Sequence, residues 1–140
     1  MTGMKMSVLP KRALDFATLA NPSTQEVILA DRIELFRWRE LLVKVRVHAH
    51  TLTAPNTITI TVYAQSWTDE EPGLQFVAST AAASVAIQST TPSPGELDLV
   101  LPTLATNGIA GMARITAIGN RGGAGTMQAQ LSMEVIGKAA

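Results

Sequence analysis

The dominant pattern in the chain is an alternation of apolar and polar residues with a period of two, which places successive side chains on opposite faces of a β-strand. The clearest segments are 41–49, 57–63, 83–87, 97–101, 112–118 and 127–135. In the last of these, every odd position is apolar. The spacing that indicates amphipathic helices is largely absent. The pattern therefore predicts strands with one buried and one exposed face.

Turn-forming residues separate these segments at the short spacing typical of two-sheet β-folds. We predict an all-β, single-domain antiparallel β-sandwich or jelly roll of about eight strands. Residues 41–50 and 57–63 are expected to form an antiparallel hairpin across Ala54-Pro55-Asn56. Residues 26–36 give one long or two short strands, and a short helical turn over 35–40 is the alternative.

The N-terminal 24 residues have no clean period and contain Pro10 and Pro22. We expect an N-terminal arm at 1–24, partly extended, with at most one strand at 13–19, and a sandwich domain at 25–140. An arm of this kind would become ordered on a neighbouring protein.

Composition suggests assembly. Of the 140 residues, 46% are hydrophobic but only 4% are aromatic, so Ala and Val must fill much of the core, and they bury little area each. Eleven basic and eleven acidic residues give zero formal net charge, which favours association and lacks the basic surface of a general nucleic-acid binder. We expect a homo-oligomer, with a trimer or ring favoured, and no direct nucleic-acid contact.

The absence of cysteine rules out disulfides and thiolate metal sites. The first twelve residues lack the apolar run of a secretory signal, and no stretch approaches the ~20 apolar residues of a membrane span. The interpretation is a protein made and folded in a host cytoplasm, with no membrane partner.

A basic stripe, defined as Lys44, Arg46, His48 and His50, follows one strand face. The two histidines at i, i+2 could share a metal, but a third histidine is missing and the two cations would repel it. An anion or polynucleotide contact is the second reading, although no aromatic platform is interleaved. A solvated face, or a contact with a partner's carboxylates, is favoured.

The segment from Trp67 to Gly73 places Asp69, Glu70 and Glu71 in an acidic loop. Three consecutive carboxylates could bind calcium, but the remaining ligand pattern is missing. We expect a solvated hairpin loop, which could also meet a basic patch on a neighbour.

Arg37, Trp38 and Arg39 form the other aromatic candidate. Trp and Arg are enriched at interface hot spots, but Trp38 and Trp67 could equally be core anchors. The glycine-rich segment 120–125 precedes a strand rather than a helix, so we expect a flexible hairpin turn instead of a phosphate loop. No catalytic, cofactor-binding or metal-binding residue is predicted, since nucleophile and metalloprotease motifs are absent.

With strands such as Val43-Lys44-Val45-Arg46-Val47 and Ile58-Thr59-Ile60-Thr61-Val62, the chain resembles the small β-sandwich accessory proteins of tailed-bacteriophage particles. These include capsid decoration (cement) proteins and related head or tail components. The resemblance covers residues 26–136 and is one of pattern. It implies a non-enzymatic virion protein that oligomerises and binds or stabilises a shell built by a major capsid protein.

The alternative is a carbohydrate- or ligand-binding β-sandwich module. Tyr63 and Trp67 fall on the same face at i, i+4 of an expected strand, where they could form a platform for sugar rings.

Overall fold

The computed structural model describes residues 3–34, 38–65, 67–68, 75–76, 81–101 and 112–139. Every regular element in these ranges is a β-strand. The strands are β1 (Gly3–Asp15), β2 (Ser23–Glu34), β3 (Trp38–His50), β4 (Thr57–Gln65), β5 (Trp67–Thr68), β6 (Gln75–Phe76), β7 (Ala81–Ile87), β8 (Gly95–Leu101), β9 (Met112–Arg121) and β10 (Gln128–Ala139).

The strands pair as one long hairpin that is folded over on itself. β1 pairs with β10, β2 with β9, β3 with β8, β4 with β7, and β5 with β6, all antiparallel. Two further pairings, β10 with β3 and β9 with β4, close this ribbon into two four-stranded sheets. Sheet A has the order β1-β10-β3-β8, and sheet B has the order β2-β9-β4-β7. Eight strands wound in this way form a jelly roll, which confirms the predicted fold class.

The core lies between the two sheets and follows the alternation in the sequence. Val43, Val45 and Val47 on β3 are buried, and so are the odd positions of β10 from 129 to 135. Phe16, just after β1, is the largest fully buried side chain, and its ring lies against Gly119 on β9. A Cβ at residue 119 would be 2.7 Å from that ring, so glycine is what admits the aromatic side chain.

The expected hairpin between residues 41–50 and 57–63 is wrong. β3 lies in sheet A and β4 in sheet B, so residues 51–56 cross from one sheet to the other. Leu52 and the Asn56 side chain are buried along this crossing. Period-two alternation identifies the buried face of a strand but not the neighbour it pairs with.

The expected N-terminal arm also differs from the structure. β1 pairs with β10 along most of its length, and Leu9 and Leu14 are part of the core. Two register shifts, between Ser7 and Leu9 and between Leu9 and Arg12, break the alternation that would have revealed this strand. Pro10 is tolerated because β1 is an edge strand.

Residues 26–36 were expected to be one or two strands. β2 is a single strand with two register shifts, between Ile28 and Ala30 and between Ala30 and Ile33. The alternative helical turn over 35–40 is replaced by strand at 38–40, where β3 begins. Residues 35–37 lie outside the described ranges.

Candidate interaction surfaces

Ion pairs within the chain neutralise the basic stripe. Lys44 Nζ lies 3.1 Å from Glu96 and 3.9 Å from Asp98, both on the neighbouring β8. Arg46 Nε lies 3.2 Å from the other oxygen of Glu96. The hydrogen bond from Lys44, together with the charges of Lys44 and Arg46, lowers the pKa of the Glu96 carboxyl. The carboxylates that the stripe was expected to meet on a partner are thus supplied by its own sheet.

The ion pairs continue to the opposite edge of sheet A. Glu134 on β10 lies 3.2 Å from Lys5 Nζ on β1 and 3.8 Å from an Arg46 nitrogen. Exposed ion pairs of this kind contribute about 0–1 kcal/mol each to stability, so their main effect is to neutralise charge on the surface. The outer face of sheet A presents alternating charges that are already paired, and it offers little free positive charge to a polyanion.

His48 and His50 do not form a pair, because His48 is an extra residue in β3. Val47 and Ala49 lie opposite the consecutive residues Leu131 and Gln130, so the alternation changes at His48. His48 Nε2 lies 2.8 Å from Ser132 Oγ on the outer face. His50 is in register with the buried Ala129 and interacts elsewhere. The two rings have separate partners, which removes the geometric basis for a shared metal.

The His50 ring joins two loops at one end of the sandwich. The Leu52 backbone N–H donates to Nδ1 at 3.2 Å, so Nε2 carries the proton and donates to the Thr91 carbonyl at 2.6 Å. Thr91 lies in the loop between β7 and β8. His50 therefore acts as a structural clasp between the 51–56 crossing and that loop.

A groove of about 260 Å³ lies beside this clasp. Its lining comes from Ala13–Asp15, Ala49–Thr51 and Gln128–Gln130. Gln128 Nε2 donates to Asp15 at 3.2 Å, and the other Asp15 oxygen accepts from the Ala17 N–H, so these groups already bond within the chain. The lining contains no Phe, Tyr or Trp side chain, which is the usual platform for a sugar.

Asn56 and Arg121 hold the same end of the molecule, and the sequence analysis missed both. Asn56 Oδ1 accepts from the N–H groups of Gly122 and Gly123, each at 3.0 Å, and its amide donates to the Ala124 carbonyl. In the sequence, the one indication of this role is that Asn56 follows the turn-forming Ala54-Pro55. The segment 122–127 is neither a hairpin nor loosely held, since it crosses from sheet B to sheet A between bonded partners.

Arg121 is 8% exposed, and its guanidinium donates to four backbone carbonyls. One terminal nitrogen donates to Gly123 and Gly125, and the other donates to Phe16 and Ala17. These bonds join the 122–127 crossing to the loop after β1. Gly125 has a φ of +113°, a region that side-chain-bearing residues rarely adopt.

The outer face of sheet B has a different character. Two rows of residues in register cross all four of its strands, Ile28–Thr116–Thr61–Ser84 and Glu26–Ile118–Thr59–Ala86. Glu26, on edge strand β2, is the single charged residue in these rows. Ile28 is 48% exposed. Thr61 and Thr116 in the middle of the rows are buried, at 4% and 1% exposure, and the other six positions are exposed or half-buried. This set of residues, rich in threonine and isoleucine and defined by the two rows, is called the sheet B face below.

Tyr63 lies at the margin of the sheet B face, opposite Arg114 on β9. Burial raises the pKa of its hydroxyl, and the nearby Glu26 carboxylate raises it further. Arg114 forms two hydrogen bonds of 3.1 and 3.0 Å with Asp31 on β2. The charges at this margin are therefore also paired.

The remaining predicted interface residues are placed only in part. Trp38 and Arg39 lie in β3, and Trp67 lies in β5, where it pairs with Phe76. Because β4 ends at Gln65, Tyr63 and Trp67 belong to different strands and not to one strand as expected. Arg37, Asp69, Glu70 and Glu71 lie outside the described residues.

Across the described ranges, no group of three or more histidine, aspartate or glutamate side chains is arranged to hold a metal ion. Within the same part of the chain, no helix has the length and apolar character needed to cross a membrane.

Comparison with known proteins finds no matching family model and no matching curated protein. Among solved structures, a Bacillus endospore appendage, described as belonging to a novel family of disulfide-linked pili, is similar at 12% identity with a TM-score of 0.39, covering 98% of this chain and 92% of that one. The infectious bursal disease virus Gx strain structure is similar at 11% identity and a TM-score of 0.48, covering 96% of this chain and 31% of that one.

The K1 cleaved adhesin domain of Lys-gingipain from Porphyromonas gingivalis W83 is similar at 14% identity, with a TM-score of 0.38, covering 100% of this chain and 99% of that one. These similarities concern fold alone, and each TM-score is below 0.5. The jelly-roll assignment rests on the strand order of this chain, and the comparisons assign no family.

Proposed function

We propose that this chain is a non-enzymatic structural protein of a virus particle, a bacteriophage capsid decoration protein or related head or tail component. In this role it oligomerises and binds or stabilises a protein shell. The observation that carries the proposal is the contrast between its two outward faces. Sheet A presents charges paired within the chain, whereas the sheet B face carries one charge in eight aligned positions.

A surface with one charge in eight aligned positions and mostly β-branched side chains is suited to contact with another protein, because little desolvation of charge opposes its burial. The polar side chains that could have served chemistry have structural partners instead. His50 bonds two loops, and Arg121 bonds four carbonyls. Support for the proposal thus comes from surfaces rather than from a reactive cluster.

The virion setting rests on analogy. Jelly rolls recur in viral capsid and lectin domains, and fold alone does not determine function. In this proposal the partner is a major capsid protein, the location is the virion, and synthesis takes place in the host cytoplasm.

The test is to return the purified full chain to particles assembled without it. We expect saturable binding and a higher temperature of particle disruption. Ile28→Lys places a charge on the sheet B face and should weaken binding about tenfold or more, since a buried unpaired charge is costly. Val100→Lys, at a site 72% exposed on sheet A, is the matched control and should bind normally. Absence of binding by the unmodified chain would refute the virion role.

A ligand-binding module is the second candidate, and the groove beside His50 is the observation that favours it. Its volume of about 260 Å³ is just below the roughly 300–1,000 Å³ of small-molecule sites. Saturable binding of a soluble glycan that is lost in Gln130→Ala, together with no binding to particles, would favour this alternative.

A further inference from the structure

The four edge strands of the sandwich differ in how well they are protected. β1 and β8 are the edges of sheet A, and β2 and β7 are the edges of sheet B. An edge strand presents unpaired N–H and C=O groups that can pair with another chain unless charge, proline or bulges prevent it. Three of the edges carry charge, proline or two register shifts, whereas β7 has a single register shift near its start.

β1 carries Pro10, Lys11 and Arg12 as well as two register shifts. β2 also has two register shifts. β8 carries the Glu96 and Asp98 side chains, which are 47% and 54% exposed. Each feature interferes with the approach of a further strand.

β7, with the sequence Ala-Ala-Ala-Ser-Val-Ala-Ile, has no charged residue and no proline. Its register with β4 shifts once, between Ala81 and Ala83, and is regular from Ala83 to Ile87. Ser84 is exposed, and Ala83 and Ala86 carry small, half-buried side chains. The uncharged part of the sheet B face continues up to this strand, since Thr59 and Thr61 are its neighbours on β4.

We propose that β7 pairs antiparallel with β7 of a second copy and joins two B sheets into one continuous eight-stranded sheet. The inference rests on the proposed assembly role and names one of its contacts. A two-fold contact places each residue opposite a residue of the same strand, so a charged edge would repel itself and this uncharged edge does not. Zero net charge over the whole chain removes long-range repulsion between copies as well.

This contact differs from the trimer or ring expected from sequence. A ring requires two different surfaces that meet head to tail, whereas β7 meets itself and closes as a dimer. The extended sheet then presents two copies of the sheet B face side by side, which would double the surface available to a shell.

The test compares Ser84→Lys with Ser7→Lys, since both serines are exposed on edge strands, of sheet B and sheet A respectively. Ser84→Lys places two like charges across the proposed contact and should raise the dimer dissociation constant about tenfold or more. Ser7→Lys should leave it unchanged. An equimolar mixture of Ser84→Lys and Ser84→Glu should restore the dimer, because the opposed charges then attract. Circular dichroism of each variant confirms that it folds.

A spin label at Ser84→Cys provides a second measurement that does not depend on the exact register, and the chain has no native cysteine. Pairing of two seven-residue strands brings the labels within about 20 Å, whereas labels at Ser7→Cys should show no such distance. If the chain associates but Ser84→Lys associates equally well and the labels are far apart, the β7 contact is wrong while the assembly role stands. A chain that remains monomeric also overturns the β7 contact, and binding to particles then decides the assembly role separately.

Discussion

At the residue scale, several side chains have roles that their sequence neighbourhood did not indicate. The basic stripe was correctly located on the outer face, but the carboxylates that pair with it lie on β8 and β10, distant in sequence. His50 does not lie on that face, because a β-bulge in β3 changes the alternation, and no local sequence pattern indicated this bulge. Asn56 and Arg121 became structural because they meet backbone groups of remote loops.

Tyr63 gives a direct test at this scale, because it is the only tyrosine. Its raised pKa means that the phenolate should appear above the ordinary value of 10.0 in an ultraviolet absorbance titration. Glu26→Gln should lower the midpoint, since it removes the carboxylate that opposes ionisation. Unfolded protein should titrate near the ordinary value. A native midpoint at or below 10.0 would contradict the described surroundings of Tyr63.

The raised pKa of Tyr63 also determines how the stability of the protein changes with pH. The unfolded chain ionises first as pH rises, so the stabilisation associated with protonated Tyr63 is complete below about pH 10 and is lost above it. The free energy of unfolding of Tyr63→Phe should therefore fall less steeply in alkali than that of the unmodified chain.

Arg121→Met should lower the free energy of unfolding by about 2–3 kcal/mol, because it leaves carbonyls of two loops without their donors. Arg12→Met, which removes one exposed 3.4 Å contact with the Ile28 carbonyl, is the control and should change stability by no more than about 0.5 kcal/mol. Urea denaturation measures both. Equal effects would mean that Arg121 does not hold the loops together.

At the element scale, the sequence predicted the strands with clear alternation, and also β2 despite its two register shifts, but it missed most of β1. β3 and β10 were evident because their apolar residues repeat every second position. β1 was hidden by its two register shifts and Pro10. Strand pairing could not be predicted, since the partners of a jelly roll lie far apart in sequence. The prediction that β3 and β4 form a hairpin was therefore wrong.

Leu14→Ala tests whether β1 belongs to the core. Leu14 is 4% exposed, and truncation should cost about 2–4 kcal/mol. Val100→Ala removes a side chain that is 72% exposed and should cost less than about 0.5 kcal/mol. Chemical denaturation compares the two. If Leu14→Ala were as mild as Val100→Ala, β1 would be an arm as the sequence first suggested.

At the scale of the whole molecule, the described part of the jelly roll has one outer face of paired charges and one nearly uncharged face, beside which lies an edge strand without charge or proline. Net charge and low aromatic content had indicated assembly before any strand was placed. The location of the surface proposed for assembly could not be predicted, because it depends on which strands lie side by side in the fold.

The most direct test of the assembly role is the mass of the full chain in solution, measured by sedimentation over a wide range of concentration. The β7 contact and the sheet B face predict reversible association to twice the 14.8 kDa of one chain or to a multiple of that dimer. Such association should persist at high salt, because the contact carries no charge pairs. A single species of 14.8 kDa at every concentration would contradict the predicted self-association and the β7 contact.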